Sequence, residues 1–205
     1  MYKQITFLAA LFTFSITAQA TLIDFTDRSW QAAIGSGTTS ATVGNVTLTS
    51  TGGNLTFNGS SSERSGCLAG QPANGLTCLG DGIGINDDEI TQRSSESITI
   101  SFAEAVNISN VFLLDLFAKE QTGEIAVIDG NLYKSVIDNA SIGGFFATGY
   151  TAAGITSIIL TGYKDCFSDY ALAAIEVAAV PLPGAAILFG SALLGFFGFK
   201  RRRIL

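Results

Sequence analysis

The hexapeptide SITISF, residues 97–102, carries the clearest structural pattern in the chain. Ile98, Ile100 and Phe102 alternate with Ser and Thr, so an apolar side chain recurs at every second residue. Because successive side chains of a β-strand point to opposite faces of a sheet, this period of two predicts a strand with one buried and one polar face.

Segments on both sides of this hexapeptide share the same character. The stretch NVTLTSTGGNLTF, residues 45–57, predicts two strands around Gly52 and Gly53, and EIAVIDGNLYKSV, residues 124–136, predicts two more around Asp129 and Gly130. An Asp-Gly pair favours a tight type I′ hairpin turn. Further strands are predicted in NVFLLDLF, GGFFATGY, GITSIILTG and DYALAAIEVA, and a turn or two of helix only in DRSWQAA. Many short strands with Gly-rich turns predict an all-β fold, an antiparallel β-sandwich of jelly-roll type.

The N-terminal end of the chain differs from this middle part. A single basic residue, Lys3, precedes the apolar stretch ITFLAALFTFSI, which is followed by small residues at Ala18 and Ala20. A basic start, an apolar run and small residues at the end are the three parts of a secretory signal peptide. The sequence therefore predicts a signal peptide over residues 1–20, with cleavage after Ala20, and an exported domain over residues 21–179.

The C-terminal end carries a second apolar run, over residues 185–199. The run is marginal for a membrane helix, which needs about 20 apolar residues and at least about 17. Positive charge is retained on the cytoplasmic side, so the basic cluster that follows predicts a stop-transfer signal. Its members are Lys200, Arg201, Arg202 and Arg203. Pro181 and Pro183 precede the run and predict an extended, accessible hinge before a short transmembrane helix.

Residues 180–205 as a whole resemble the PEP-CTERM class of sorting signals in its VPLPA-type variant. The motif consists of Val180, Pro181, Leu182, Pro183, Gly184 and Ala185. Leu182 stands where the glutamate of the commoner Pro-Glu-Pro pattern would be. The resemblance implies an exosortase-type processing enzyme in the inner membrane of a Gram-negative bacterium that makes exopolysaccharide. The protein would then be anchored in the membrane, transiently or permanently, before it reaches the cell surface or the extracellular space. A plain single-span anchor remains open, whereas a GPI signal does not fit the basic ending KRRRIL.

Charge and composition exclude several functions. Residues 21–179 contain all 17 acidic residues but only 6 of the 11 Lys and Arg, a formal charge of −11. This charge argues against nucleic acid and anionic lipid as partners, because both bind clustered Lys and Arg. The chain has no histidine, which excludes Ser-His-Asp and Cys-His catalysis and histidine zinc sites. We therefore expect no enzymatic activity.

Two cysteines bracket a turn-rich segment, CLAGQPANGLTC. Export to an oxidising compartment favours a disulfide between Cys67 and Cys78, although two separate thiols remain the alternative. Cys166 has no predicted partner.

An acidic cluster in GDGIGINDDEI is the candidate metal site. Its members are Asp81, Asp87, Asp88 and Glu89. Calcium binds six to eight oxygens, and a Gly-rich loop lets backbone carbonyls turn inward, but the spacing does not fit an EF-hand. A solvated acidic loop is the alternative. Trp30, the single tryptophan, is predicted to lie in the core or in a lid.

Together these features predict an exported, tail-sorted, non-enzymatic protein of the envelope or extracellular matrix, associated with exopolysaccharide or biofilm. The alternative is a carbohydrate-binding module or a glycan-active enzyme that works through carboxylates.

Overall fold

A computed structural model describes residues 20–59, 64–70, 75–87, 89–91, 95–118, 123–135, 139–164 and 168–180. In these residues eleven strands run in chain order: β1 Ala20–Asp24, β2 Ser40–Val43, β3 Val46–Thr51, β4 Leu55–Asn58, β5 Gly82–Ile85, β6 Ser97–Leu114, β7 Ile125–Ile128, β8 Asn131–Lys134, β9 Phe146–Ala147, β10 Ala152–Gly162 and β11 Ala171–Ala179. Two short helices, α1 Arg28–Ala33 and α2 Arg64–Gly70, and a 3₁₀ turn, Ala140–Ile142, complete the described elements.

All strand pairings are antiparallel, and the strands form one open sheet. Its main path has the order β4-β5-β11-β6-β10-β7-β8. Three further pairings branch from this path, because β3 pairs with β6 and carries β2, β1 pairs with β11, and β9 pairs with β6. The prediction of an all-β antiparallel fold is confirmed.

Strand β6 divides the sheet into two lobes. Along one side of β6, residues 97–102 pair with β3, and residues 106–114 pair with β11. Strand β10 follows the other side and changes register twice between Ala152 and Ser157, as expected where a sheet bends. We call β2, β3, the first part of β6, β10, β7 and β8 the β3 lobe. The β11 lobe contains β1, β4, β5, β11, the second part of β6 and β9.

The hexapeptide pattern is observed in the core. Ile98, Ile100 and Phe102 are buried, and they belong to a cluster that also contains Leu48 from β3 and Leu172 from β11. Each fully buried aliphatic side chain of this kind contributes about 1.5–3 kcal/mol relative to its exposed state. The two lobes therefore share one hydrophobic core.

A smaller cluster lies on the opposite face of the β11 lobe. Phe112 and Leu114 of β6 alternate with the side chains that face the main core, and they pack with Ala173 of β11. Cys67 and Cys78 belong to the same cluster. Cys67, Leu76 and Cys78 thus cover part of the second face of this lobe.

The short helix and the hairpin both lie where the sequence indicates them. Asp27 is the N-cap of α1, and its Oδ1 accepts a hydrogen bond of 2.8 Å from the Ser29 amide. Trp30 is 2% exposed and packs on Phe25 with ring centroids 5.1 Å apart, so it is a core residue. Asp129 connects β7 to β8 with a positive φ, as does the glycine that follows it, and a type I′ turn requires this geometry.

Candidate functional site

A cleft of about 450 Å³ opens between the α1–β2 connection and the edge strand β4. It is lined by Gln31, Ile34, Gly35, Ser36, Gly37, Asn54, Leu55, Thr56, Phe57 and Asn86. Small-molecule sites in proteins range from about 300 to 1,000 Å³, so this cleft is large enough for a ligand of one or a few rings.

The turn after β5 forms one wall of the cleft through Asn86, whose φ of +56° is in the left-handed region that asparagine tolerates. Its backbone and side chain make two hydrogen bonds to Asn54, just before β4, and one to Thr56 of β4; the shortest, 2.8 Å, runs from its amide to the Asn54 carbonyl. The Asn86 Nδ2 also donates to Oε1 of Glu96 at 2.8 Å, and Glu96 is buried. Because buried Glu96 holds this amide group, the wall has a defined conformation.

The opposite wall is the loop after α1. Thr38 closes this loop, since its Oγ1 accepts a hydrogen bond of 3.1 Å from the Gly35 amide. The Leu55 amide of β4 then donates to the Thr38 carbonyl at 2.7 Å, which joins the loop to the edge strand. Both walls are therefore attached to β4, and we expect the cleft to be present before a ligand binds.

The chemical character of the cleft is polar and uncharged. Gln31, Ser36 and Asn54 are exposed and offer amide and hydroxyl groups, which both donate and accept hydrogen bonds. The half-buried Phe57 adds an apolar ring surface. Among the described residues that line the cleft, none is charged. This combination suits a neutral ligand that carries hydroxyl groups.

Sequence reasoning missed this cleft entirely. Gln31 lies in α1, whereas Asn54 and Asn86 lie in two separate turns, and each is an ordinary polar residue among other small or polar residues. No motif or spacing links them, because the pairing of β4 with β5 brings them together.

The members of the predicted acidic cluster lie in different surroundings. Asp81 is 1% exposed, and its Oδ1 accepts a hydrogen bond of 3.1 Å from the Cys67 amide. Asp87 is exposed in the turn at the other end of β5, and Glu89 is half-buried beside that strand. Asp88 lies outside the described residues. Within the described part of the chain, no three Asp, Glu or Cys side chains are grouped as metal ligands would be.

Cys67 and Cys78 form a disulfide, with their Cα atoms 5.6 Å apart, and both residues are fully buried. The amide of each cysteine has a side-chain acceptor, which is Asp81 for Cys67 and Thr26 Oγ1, at 2.9 Å, for Cys78. Cys166 lies outside the described residues. The buried carboxylate of Asp81 therefore supports the cross-linked segment.

Two further carboxylates hold the same segment. Asp24 Oδ2 accepts bonds of 2.7 Å from both the amide and the hydroxyl of Thr77, and its Oδ1 accepts from Thr26. Asp27 lies within 3.3 Å of the Thr77 hydroxyl. The Ser29 amide, and then its hydroxyl, lower the pKa of Asp27 by bonding to the ionised form. The two carboxylates thus meet at the Thr77 hydroxyl, and neither of them lines the cleft.

The structure describes only the last residue of the predicted signal peptide, Ala20, and the first residue of the predicted sorting motif, Val180. Ala20 is the first residue of β1 and lies opposite Ala178 of β11, so the two ends of the folded unit Ala20–Val180 are neighbours. Val180 is exposed. The remaining residues of the predicted signal peptide, Ala18 included, of the sorting motif and of the basic cluster, lie outside the described residues. Within the described part of the chain, no helix has the length and apolar character of a membrane span.

Comparison with known proteins finds no matching family model, no matching curated protein and no matching solved structure.

Proposed function

We propose that the chain is an exported, non-enzymatic protein that binds neutral polysaccharide at the cell surface or in the extracellular matrix. The proposed export route follows from the signal-peptide pattern of residues 1–20 and from the resemblance of residues 180–205 to PEP-CTERM signals of the VPLPA type. An exosortase-type enzyme in the inner membrane would process the tail.

We also propose that the two lobes of the sheet are the layers of a β-sandwich of jelly-roll type. The support is the shared core, in which Leu48 of the β3 lobe and Leu172 and Ile175 of the β11 lobe belong to one cluster. Side chains from the inner faces of two packed sheets meet in this way.

The observation that carries the binding function is the uncharged cleft beside β4. Sugars present hydroxyl groups and apolar C–H faces, and the amides of Gln31 and Asn54 and the ring of Phe57 complement both. Each net hydrogen bond contributes about 0.5–1.5 kcal/mol, so a few of them give a weak site that suits a repeating polymer. Amides and hydroxyls do not titrate near neutral pH, so they supply no general acid or base for hydrolysis.

Glycan-array binding of the full chain tests this function. The double variant Gln31→Ala, Asn54→Ala should weaken binding about tenfold, as expected for the loss of two or three net hydrogen bonds. Asn131→Ala, an exposed asparagine of β8 away from the cleft, is the matched control and should bind as the wild type does.

Two results would contradict the proposal. If the double variant binds glycan as tightly as the control does, the cleft is not the binding site. Sustained release of reducing ends from any bound glycan would make the protein an enzyme and leave the carboxylate-based alternative standing.

A further inference from the structure

The outer face of the β3 lobe carries a continuous field of hydroxyl groups. In β2, β3, the first part of β6 and β10, the inward side chains are mainly apolar and buried, apart from Ser50, and the outward ones that we consider are almost all Ser or Thr. Beyond β10 the same face continues with Val127 of β7 and Leu132 of β8, which end the hydroxyl groups on that side. We call the following eleven positions the hydroxyl face: Ser40 and Thr42 of β2, Thr47, Thr49 and Thr51 of β3, Ser97, Thr99 and Ser101 of β6, and Ser157, Ile159 and Thr161 of β10. Ile159 is the one member without a hydroxyl group.

The strand register arranges these positions in ranks across the sheet. The first rank is Thr42, Thr47, Ser101, Ser157; the second is Ser40, Thr49, Thr99, Ile159; the third is Thr51, Ser97, Thr161. Neighbours within a rank are about 4.8 Å apart and successive ranks about 6.6 Å apart, because these are the strand spacing and twice the rise per residue. The face is thus a two-dimensional lattice.

In the first two ranks, the hydroxyls of β2 lie within reach of those of β3. The Oγ1 atoms of Thr42 and Thr47 are 2.9 Å apart, and the hydroxyls of Ser40 and Thr49 are 3.5 Å apart. Threonine is β-branched and stiff about χ1, so the side chains keep these positions at little further loss of conformational entropy. The lattice is therefore preorganised for a ligand.

The face is open to solvent. Six of its eleven side chains are exposed and five are half-buried. Ile159 is 45% exposed, although a large apolar residue in a strand usually faces a core. By contrast, Cys67, Leu76 and Cys78 pack on the second face of the β11 lobe. The β3 lobe therefore presents a large surface that its own chain leaves uncovered in the described residues.

The charge of the domain limits what this surface can bind. None of the eleven residues is charged, whereas residues 21–179 carry a formal charge of −11. An acidic polymer is repelled by the field of such a domain and finds no cation among these eleven residues; the exposed Lys134 lies on β8, beyond Val127 and Leu132. A hydroxyl group donates and accepts, so a neutral polyhydroxylated ligand complements the surface without any charge.

The repeat of the lattice also limits the size of the ligand. A hydrogen bond that replaces one to water adds little net affinity, so a single sugar on this face would bind weakly. A polymer or a stack of polymer chains contacts several ranks at once, and the contacts act together as a multivalent site. Threonine methyl groups between the hydroxyls add apolar contact with the C–H faces of sugar rings.

From this lattice we infer that the hydroxyl face is a docking surface for an extended neutral polysaccharide, which contacts several ranks simultaneously. The inference rests on the proposed function and adds a second, extended contact to the cleft beside β4.

The test uses the full chain and co-sedimentation with insoluble neutral polysaccharides, namely cellulose, chitin and a β-1,3-glucan. The triple variant Thr47→Val, Thr49→Val, Thr99→Val replaces three hydroxyls by methyl groups of the same shape and keeps β-branched residues in the strands. It should lower the affinity about tenfold or more, while its far-UV circular dichroism stays that of the wild type. Ile159→Thr completes the second rank and should raise the affinity.

A matched control replaces three exposed threonines elsewhere, Thr21→Val, Thr39→Val and Thr151→Val. This control should bind as the wild type does. If the triple variant also binds like the wild type while the cleft variant Gln31→Ala, Asn54→Ala loses affinity, the hydroxyl face is wrong and the proposed function stands. If the wild type binds none of the three polysaccharides, the hydroxyl face is wrong, and the proposed function is wrong as well only if the glycan array also finds no binding.

Two additional ligands test the chemical class. Carboxymethyl-cellulose resin, an insoluble acidic polysaccharide, should bind more weakly than cellulose at low salt, and equal or tighter binding would contradict the inference. Ice is another regular lattice of hydroxyl groups. If the wild type is retained on ice but on none of the polysaccharides, and the triple variant is no longer retained on ice, the face binds ice and the polysaccharide inference is wrong.

Discussion

Removal of the disulfide should reveal how strongly the fold depends on the covered face of the β11 lobe. Cys67 and Cys78 are 11 residues apart and close a short loop of the unfolded chain. The chain-entropy relation for a loop of this size gives about 3 kcal/mol at 25 °C. Domains of 150–250 residues lose about 2–4 °C of melting temperature per kcal/mol, so reduction should lower the melting temperature by about 6–12 °C.

The double variant Cys67→Ala, Cys78→Ala separates the cross-link from the packing. Both sulfurs are buried against Phe112, Leu114 and Ala173, so the variant loses apolar contacts in addition to the loop constraint. Its free energy of unfolding should therefore be lower than that of the reduced wild type by a further ~1 kcal/mol or more, and its melting temperature should fall accordingly.

Thermal unfolding followed by circular dichroism, with and without a phosphine reductant, measures both effects. Cys166→Ala is the control and should respond to the reductant as the wild type does. A melting temperature that changes by less than about 1 °C on verified reduction would refute the argument, because the unfolded state would then gain nothing from opening the loop.

Three other perturbations test separate parts of the structure. Gly143→Ala would place a Cβ 2.5 Å from the backbone of α2 at a φ of +62°, and we expect the free energy of unfolding, measured with urea, to fall by about 3 kcal/mol. Gly37→Ala is the control: its φ is also positive but the space around it is open, so the fall should be only about 1 kcal/mol. Burial, and then the hydrogen bond to the Asp129 carboxylate, raise the pKa of Tyr150 in the folded protein. The neutral phenol therefore contributes its full stabilisation below a pH of about 10, the pKa of an ordinary tyrosine. Stability should therefore fall as the pH rises above about 10, less steeply in Tyr150→Phe. Replacement of Pro181 and Pro183 by Ala should leave a full-length, membrane-bound form by intact mass in the native host, and an identical full-length mass for the wild type would reduce the tail to a plain anchor.

Local patterns in the sequence were sufficient for several features. The period of two in residues 97–102 is a property of the strand itself, so it identified the buried and polar faces before any partner strand was known. The Asp-Gly pair at residues 129–130 gave the hairpin between β7 and β8, and Asp27 marks the start of α1. These features depend on residues within a few positions of one another, so nearby residues contain the information.

The extent of β6 was not predicted. The sequence suggested two strands, in SITISF and in NVFLLDLF, whereas the structure has one strand over Ser97–Leu114. The intervening residues lack the alternation, because the strand changes partners there from β3 to β11. Strand β5, with its sequence GIGI, was also missed, since two glycines offer no polar face for a period of two to reveal. That strand separates Asp81 from Asp87.

Only the tertiary structure decided which polar residues meet. Long-range pairing brings Asn54 beside Asn86 and places the hydroxyls of four strands in ranks. A strand's own sequence says which of its side chains point outward, but it does not say which strand lies next to it or in which register. Register is selected by the burial of the whole inner face, because a shift of one residue would turn every apolar side chain to solvent. The residue pattern therefore determined several of the strands and which of their side chains point outward, whereas the collective burial of the core determined the cleft and the hydroxyl face.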